Sequence, residues 1–160
     1  MTATARPRTA ARVGAVQALF QSEQAGETAE TVIDQFVRHR LGRLPDSDGF
    51  AEGRVPDADV RLFGQIVRTA SQKQDQLDGL VADALPADWP FTRLDPVLRA
   101  LLRAACAELS LEDGPPVRVV INEYLDVAHG FFDGDEPRLV NGLLDRVART
   151  LRPEFAAEPQ

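Results

Sequence analysis

An all-α bundle is what this sequence predicts, on three observations. Apolar residues recur at intervals of three and four through most of the chain. Glycine and proline break that recurrence at only a few places. One short β-branched run is all that speaks for sheet. A chain of 160 residues suffices for one buried core. The expectation is a single domain over 1–160, a compact bundle of two three-helix lobes at about 9–85 and 94–152, with a basic arm at 1–12 and a loop at 42–56.

Val13, Val16 and Phe20 share one stripe and predict a first helix from about Thr9 to Gln24, ended by Gly26. Val32, Ile33, Phe36 and Val37 predict a second over Thr28–Leu41, with Thr28 as N-cap and Gly42 as the stop. The third is the clearest, because Val60, Phe63, Val67, Ala70, Gln74, Leu77, Val81 and Ala84 alternate threes and fours without a break. Pro86, Pro90 and Pro96 then mark the boundary between lobes, where Trp89 and Phe91 are expected to pack between the halves.

Asp95 caps a fourth helix ending at Leu109, with Pro96 in its first turn. Val117, Val119, Val120 and Ile121 taken alone suit a strand, but Leu125, Ala128 and Phe131 at helical spacing make Val117–Phe131 a fifth helix. Leu139, Val140, Leu143, Leu144 and Val147 predict a sixth over Glu136–Leu151, followed by a frayed tail from Pro153 to Gln160.

Charge is unevenly placed. The chain carries −7 overall, which excludes a generic nucleic-acid coat. Yet Arg6, Arg8 and Arg12 all precede the first carboxylate, Glu23, so the rest of the chain sets 15 basic residues against 25 acidic ones. A short arginine arm on an acidic body can follow a phosphate backbone locally.

Nothing in the sequence assembles a catalytic centre. There is no phosphate-binding glycine loop, no nucleophile elbow and no zinc motif, so neither an enzyme nor a cofactor is expected. His39 lies between Arg38 and Arg40 at a helix end, which accounts for it as a C-terminal cation. His129 reads as a surface residue. The run Asp133–Glu136 lacks calcium-loop spacing and reads as the acidic start of the last helix. The single cysteine, Cys106, falls within an apolar pattern and is expected to be buried. No apolar stretch approaches the roughly 20 residues that cross a bilayer, and a cytoplasmic protein without membrane contact is expected.

Three segments carry a resemblance. Ala15-Val-Gln-Ala-Leu-Phe20 after Arg12 is similar to the opening helix of the NusB family of antitermination factors. Leu94–Leu109, with Arg99, Arg103 and its Ala-Glu-Leu end, resembles the family's fourth helix, and Val119-Val-Ile-Asn-Glu123 its next signature. Leu139-Val-Asn-Gly-Leu-Leu-Asp145 is close to the family's Phe-Val-Asn-Gly-Val-Leu-Asp. Asn122 and Asn141 beside apolar faces are expected to satisfy helix ends or each other, and Gly142 to permit close helix approach.

The resemblance implies two three-helix lobes and recognition of boxA RNA in ribosomal RNA leader transcripts. It also implies NusE, a ribosomal protein, as co-binder and the RNA polymerase elongation complex as the target of the assembly. Carried over by position, Arg8 and Arg12, with Arg6 before them, become arm residues. Phe131 becomes a base-stacking aromatic, and Asp135 and Arg138 become base and backbone contacts. Phe20 becomes an anchor for the protein partner. The chain departs from the pattern at Thr9 and Ala10, where basic residues are common, and at Leu139, Phe132 and Glu136-Pro137. The competing expectation is a non-catalytic helical interaction protein or homodimer, joined through Phe131 and Phe132, with no RNA preference.

Overall fold

A computed structural model of the chain describes residues 5–42 and 58–156, with side chains from Pro7 onward, and the expected loop at 42–56 lies almost wholly outside the described residues. Eight α-helices and one 3₁₀ turn appear among those residues, and no strand does.

The first helix, α1, spans Ala5–Ala25 and so starts four residues ahead of the expected Thr9. Pro7 falls in its first turn, where a missing N–H costs no helical bond. The Pro7 carbonyl instead accepts the Asp59 N–H at 2.9 Å, fastening the start of α1 to the start of α3. The expected free arm is therefore helical from Ala5. Gly26 adopts φ +68°, the left-handed cap that ends the helix.

Helix α2 covers Ala29–His39, capped by the Thr28 side chain on the Thr31 N–H at 3.2 Å. It buries Val32, Ile33 and Phe36, and the Phe36 ring stacks on Phe63 at 5.6 Å.

The expected unbroken helix over 60–84 is two helices. Val60–Gln72 forms α3 and Gln74–Ala84 forms α4, with Lys73 between them at φ −108°, ψ 21°. Lys73 keeps its bond to Thr69 at 3.0 Å, and Leu77 keeps its bond to Lys73 at 2.9 Å, so one residue absorbs the bend. The reason is tertiary: α3 packs on α1, α2 and α5, whereas α4 packs on α5 and α7. A one-residue bend leaves the apolar spacing intact, so the pattern alone gives no sign of it.

Helix α5, Pro96–Leu109, is capped by Asp95 on the Val97 and Leu98 N–H groups at 2.8 and 3.4 Å. From Ala100 to Leu109 every residue is buried, Arg103, Cys106 and Glu108 included. Helices α6 (Val117–Phe131) and α7 (Glu136–Leu151) follow within the expected bounds. The β-branched start of α6 turns Val117, Val120 and Ile121 inward and leaves Val119 out, which is helical periodicity.

The expected frayed tail is corrected for its first four residues. Pro153–Ala156 forms α8, and Phe155 is 3% exposed, held between the guanidinium groups of Arg118 and Arg149 at 5.3 and 4.8 Å. Arg152 adds bonds to the Leu109 and Leu111 carbonyls at 2.9 and 2.5 Å.

At the centre α1 and α5 pack on each other, with α2 and α3 against α1, and α6 and α7 against α5. Ala11, Gly14, Ala15 and Ala18 let neighbours come close to α1: a Cβ on Gly14 would lie 3.1 Å from Leu41. The buried apolar side chains form one cluster, against which Trp89 and Phe91 of the connector are half-buried.

Candidate nucleic-acid interface

Arg12 sits where the arm reading does not put it. It is 1% exposed, inside the bundle. Its Nε and Nη2 donate to the two carboxylate oxygens of Glu108 at 2.9 and 2.7 Å, and its Nη1 lies 3.6 Å from Glu123. The Tyr124 hydroxyl donates to Glu108 at 3.0 Å, and the Thr9 hydroxyl to Glu123 at 3.3 Å. Burial works against the Arg12 charge, but the bond to Glu108 and the carboxylates around it outweigh that and hold its pKa above the ordinary value. Burial and the Glu108 charge likewise push the Tyr124 phenol up. A buried ion paired with carboxylates of two other helices is a structural tie between α1, α5 and α6, not a contact for phosphate.

That tie sets α1 and α6 side by side in the same direction. Arg8 and Val119 line one groove, Thr9 reaches Glu123, and Phe20 and Phe131 line another groove further along. From Val119 to Phe131 the seam runs about 18 Å at 1.5 Å per residue. Arg8 marks its first end: it is exposed and has no ion-pair partner among the described residues. It shares a groove of about 480 Å³ with Arg61 of α3, equally exposed. The side chain of Arg6 lies outside the described residues.

Phe131 marks the other end. It is 38% exposed, and apart from Val119 at 43% it is the only large apolar side chain exposed among the described residues. An exposed aromatic beside a groove is what stacking on an unpaired base requires. The groove, about 520 Å³, is lined by Phe20 and Val16 of α1, Val97 of α5, Phe131 of α6 and Arg40 after α2. Phe20 and Phe131, expected to serve a protein partner and an RNA base, thus meet in one groove, which their separation of more than a hundred positions conceals.

Asp135 and Arg138 are not part of that groove. Both are exposed at the start of α7 and line a third, smaller groove with Trp89 and Arg146. The expected site residues with described side chains are therefore spread over three grooves, with Arg12 in none of them. Asn122 and Asn141, expected to cap or pair, are exposed. Gly142 faces space, since a Cβ there would meet only the Arg146 guanidinium at 3.7 Å. Arg40, Arg61, Trp89 and Arg146 escaped sequence reasoning because only the packing of distant helices brings them to these grooves.

Arg99 and Arg103, matched by resemblance, belong to the scaffold. Arg103 grips Asp78 of α4 at 2.8 Å through two nitrogens and Glu23 of α1 at 2.6 Å, while Arg99 donates to Glu23 as well. Both guanidinium groups lie 5.9 Å from the Phe91 ring centre. The hydrogen bond from Arg99, with the Arg103 charge, holds the Glu23 carboxyl below its ordinary range.

No metal-binding group of histidine, cysteine and carboxylate side chains occurs among the described residues, and none of their helices is long and apolar enough to cross a membrane.

Comparison with known proteins adds the family context. A model of the NusB family matches residues 9–149. The transcription antitermination protein NusB of Granulibacter bethesdensis is 67% identical over 156 residues, covering 97% of this chain and 96% of that one. Its counterpart from Gluconobacter oxydans is 58% identical over 146 residues, covering 91% and 89%. Among solved structures, NusB of T. maritima superposes with a TM-score of 0.73 at 26% identity, covering 95% of this chain and 98% of that one. The solution structure of NusB from Aquifex aeolicus, at 20% identity and a TM-score of 0.66, shares the fold over 97% and 95%.

Proposed function

The chain belongs to the NusB family of transcription antitermination proteins, and from that premise we propose that it binds boxA RNA of ribosomal RNA leader transcripts together with NusE. It does so without catalysis, in the cytoplasm, and the assembly acts on the RNA polymerase elongation complex.

The observation that carries this reading is the shared groove of Phe20 and Phe131. An aromatic free to stack on a base stands beside the anchor for a protein partner, so RNA and partner bound there would touch each other as well as this chain. Binding of either then favours the other. Arg8, at the far end of the α1–α6 seam, adds a phosphate contact at a distance of about 18 Å that an extended strand can span. The acidic body of the chain, −7 overall, suits a basic ribosomal protein and disfavours indiscriminate RNA binding.

The homodimer reading has less support. Phe132 is half-buried, and Phe131 and Val119, the large apolar side chains exposed among the described residues, stand at opposite ends of α6.

The test is titration of labelled boxA RNA and a scrambled control, with and without NusE, at two salt concentrations. Sequence-selective binding that NusE strengthens and salt weakens is expected. Equal or absent binding to both RNAs in every condition refutes the proposal.

A further inference from the structure

We propose that the groove between the α4–α5 connector and the start of α7 receives one unpaired base of the bound RNA, stacked on Trp89. The inference rests on the RNA-binding reading: the resemblance assigns Asp135 and Arg138 to RNA, and the groove adds Trp89, Gly142 and Arg146, which no sequence match indicates.

The groove holds about 290 Å³, near the low end of small-ligand pockets and of a size for one base. Asp88 and Trp89 line it from the connector; Asp135 lines it from the residue before α7, and Arg138, Gly142 and Arg146 from α7 itself. Asp135 and these three α7 residues follow each other at intervals of three, four and four, so they form one stripe along the start of the helix. Trp89 packs against the core yet remains partly exposed at the groove.

The chemistry is that of a nucleotide. The indole supplies a stacking surface, which accepts any base. Arg138 has no partner among the described residues, so its guanidinium is available to a phosphate. Arg146 is held in place by a bond from its Nε to the Ala84 carbonyl at 3.1 Å, which leaves its outer nitrogens toward the groove. Asp135 begins α7 without a side-chain capping bond, so its carboxylate can accept from an exocyclic amino group. Two acids against two bases disfavour a free anion, and the mixed polar lining disfavours an apolar peptide.

Gly142 keeps the groove open. A Cβ there would already touch the Arg146 guanidinium at 3.7 Å, and a longer side chain would occupy the space in front of it. This gives the residue a reason other than helix packing.

Trp89 is the only tryptophan of the chain, so its emission reports this groove directly. Full-length protein is titrated with boxA RNA, following the anisotropy of labelled RNA and, in parallel, the emission of Trp89 with unlabelled RNA. Expected is quenching of Trp89 that saturates with the anisotropy. Trp89→Leu should bind roughly 5-fold or more weakly, and Trp89→Phe should retain most of the affinity. Because Trp89 also touches the core, Gly142→Met is the second variant: it fills the groove while favouring the helix, and should weaken binding with an unchanged or higher melting temperature. RNA binding by anisotropy with Trp89 emission unaltered, or native affinity in Gly142→Met, overturns the groove while sparing the RNA reading. No anisotropy change with any RNA overturns both.

Discussion

Arg12 and Glu108, 96 positions apart, meet inside the bundle as a two-pronged ion pair, with 2.9 and 2.7 Å between their paired atoms and essentially no exposure of either. The guanidinium fork matches the carboxylate, and Tyr124 satisfies a further lone pair, so the burial of both charges is compensated.

Removing one partner should leave the other charged and unpaired. Arg12→Ala and Glu108→Gln are each expected to lose about 3–5 kcal/mol of stability, read from urea unfolding. Replacing both by apolar residues of similar volume should recover much of that loss. A single variant within about 0.5 kcal/mol of the native protein would show that the pair ties nothing together.

Acid should loosen the junction of α1, α4 and α5. The folded-state pKa of Glu23 is depressed below its ordinary 4.5, so its contribution is present above that value and is lost as pH falls through the folded one. Glu23→Gln should lower stability at neutral pH and make the acid limb of the stability profile shallower. Parallel thermal-unfolding profiles for the two proteins would contradict this origin of the pH dependence.

Arg8 is exposed and has no ion-pair partner among the described residues, so Arg8→Ala should leave the melting temperature unchanged. It should weaken RNA binding and reduce the slope of log affinity against log salt by about 1. Phe131→Ala should weaken binding by roughly 5-fold or more without that change in slope. The two losses distinguish a phosphate contact from a stacking contact; identical salt slopes in all three proteins would remove Arg8 from the interface.

Cys106 is fully buried on α5, and burial, with the charge of Asp78 nearby, pushes its thiol up to about 12. In the native protein it should resist a thiol reagent at neutral pH and react only on unfolding. Its labelling rate then measures global opening. Fast labelling without loss of helical signal would show that α5 opens locally.

The apolar periodicity determined most of the secondary structure, because a helix repeat is written into every few residues. Val117–Phe131 and Glu136–Leu151 were legible for that reason, as were the caps at Thr28 and Asp95, where a side chain acts on its own first turn. The alternation of threes and fours that predicted α3 and α4 as one helix carries no mark of the bend at Lys73, which follows from two different packing partners. Phe155 likewise looked like tail, because the arginines that enclose it come from α6 and α7. For the candidate site, the resemblance singled out Arg8, Phe20, Phe131, Asp135 and Arg138, all of which line grooves. The basic N-terminal segment and the resemblance also singled out Arg12, which tertiary structure alone assigned to the interior, since a guanidinium suits a phosphate and a buried carboxylate equally well and the partner, Glu108, stands far away in sequence.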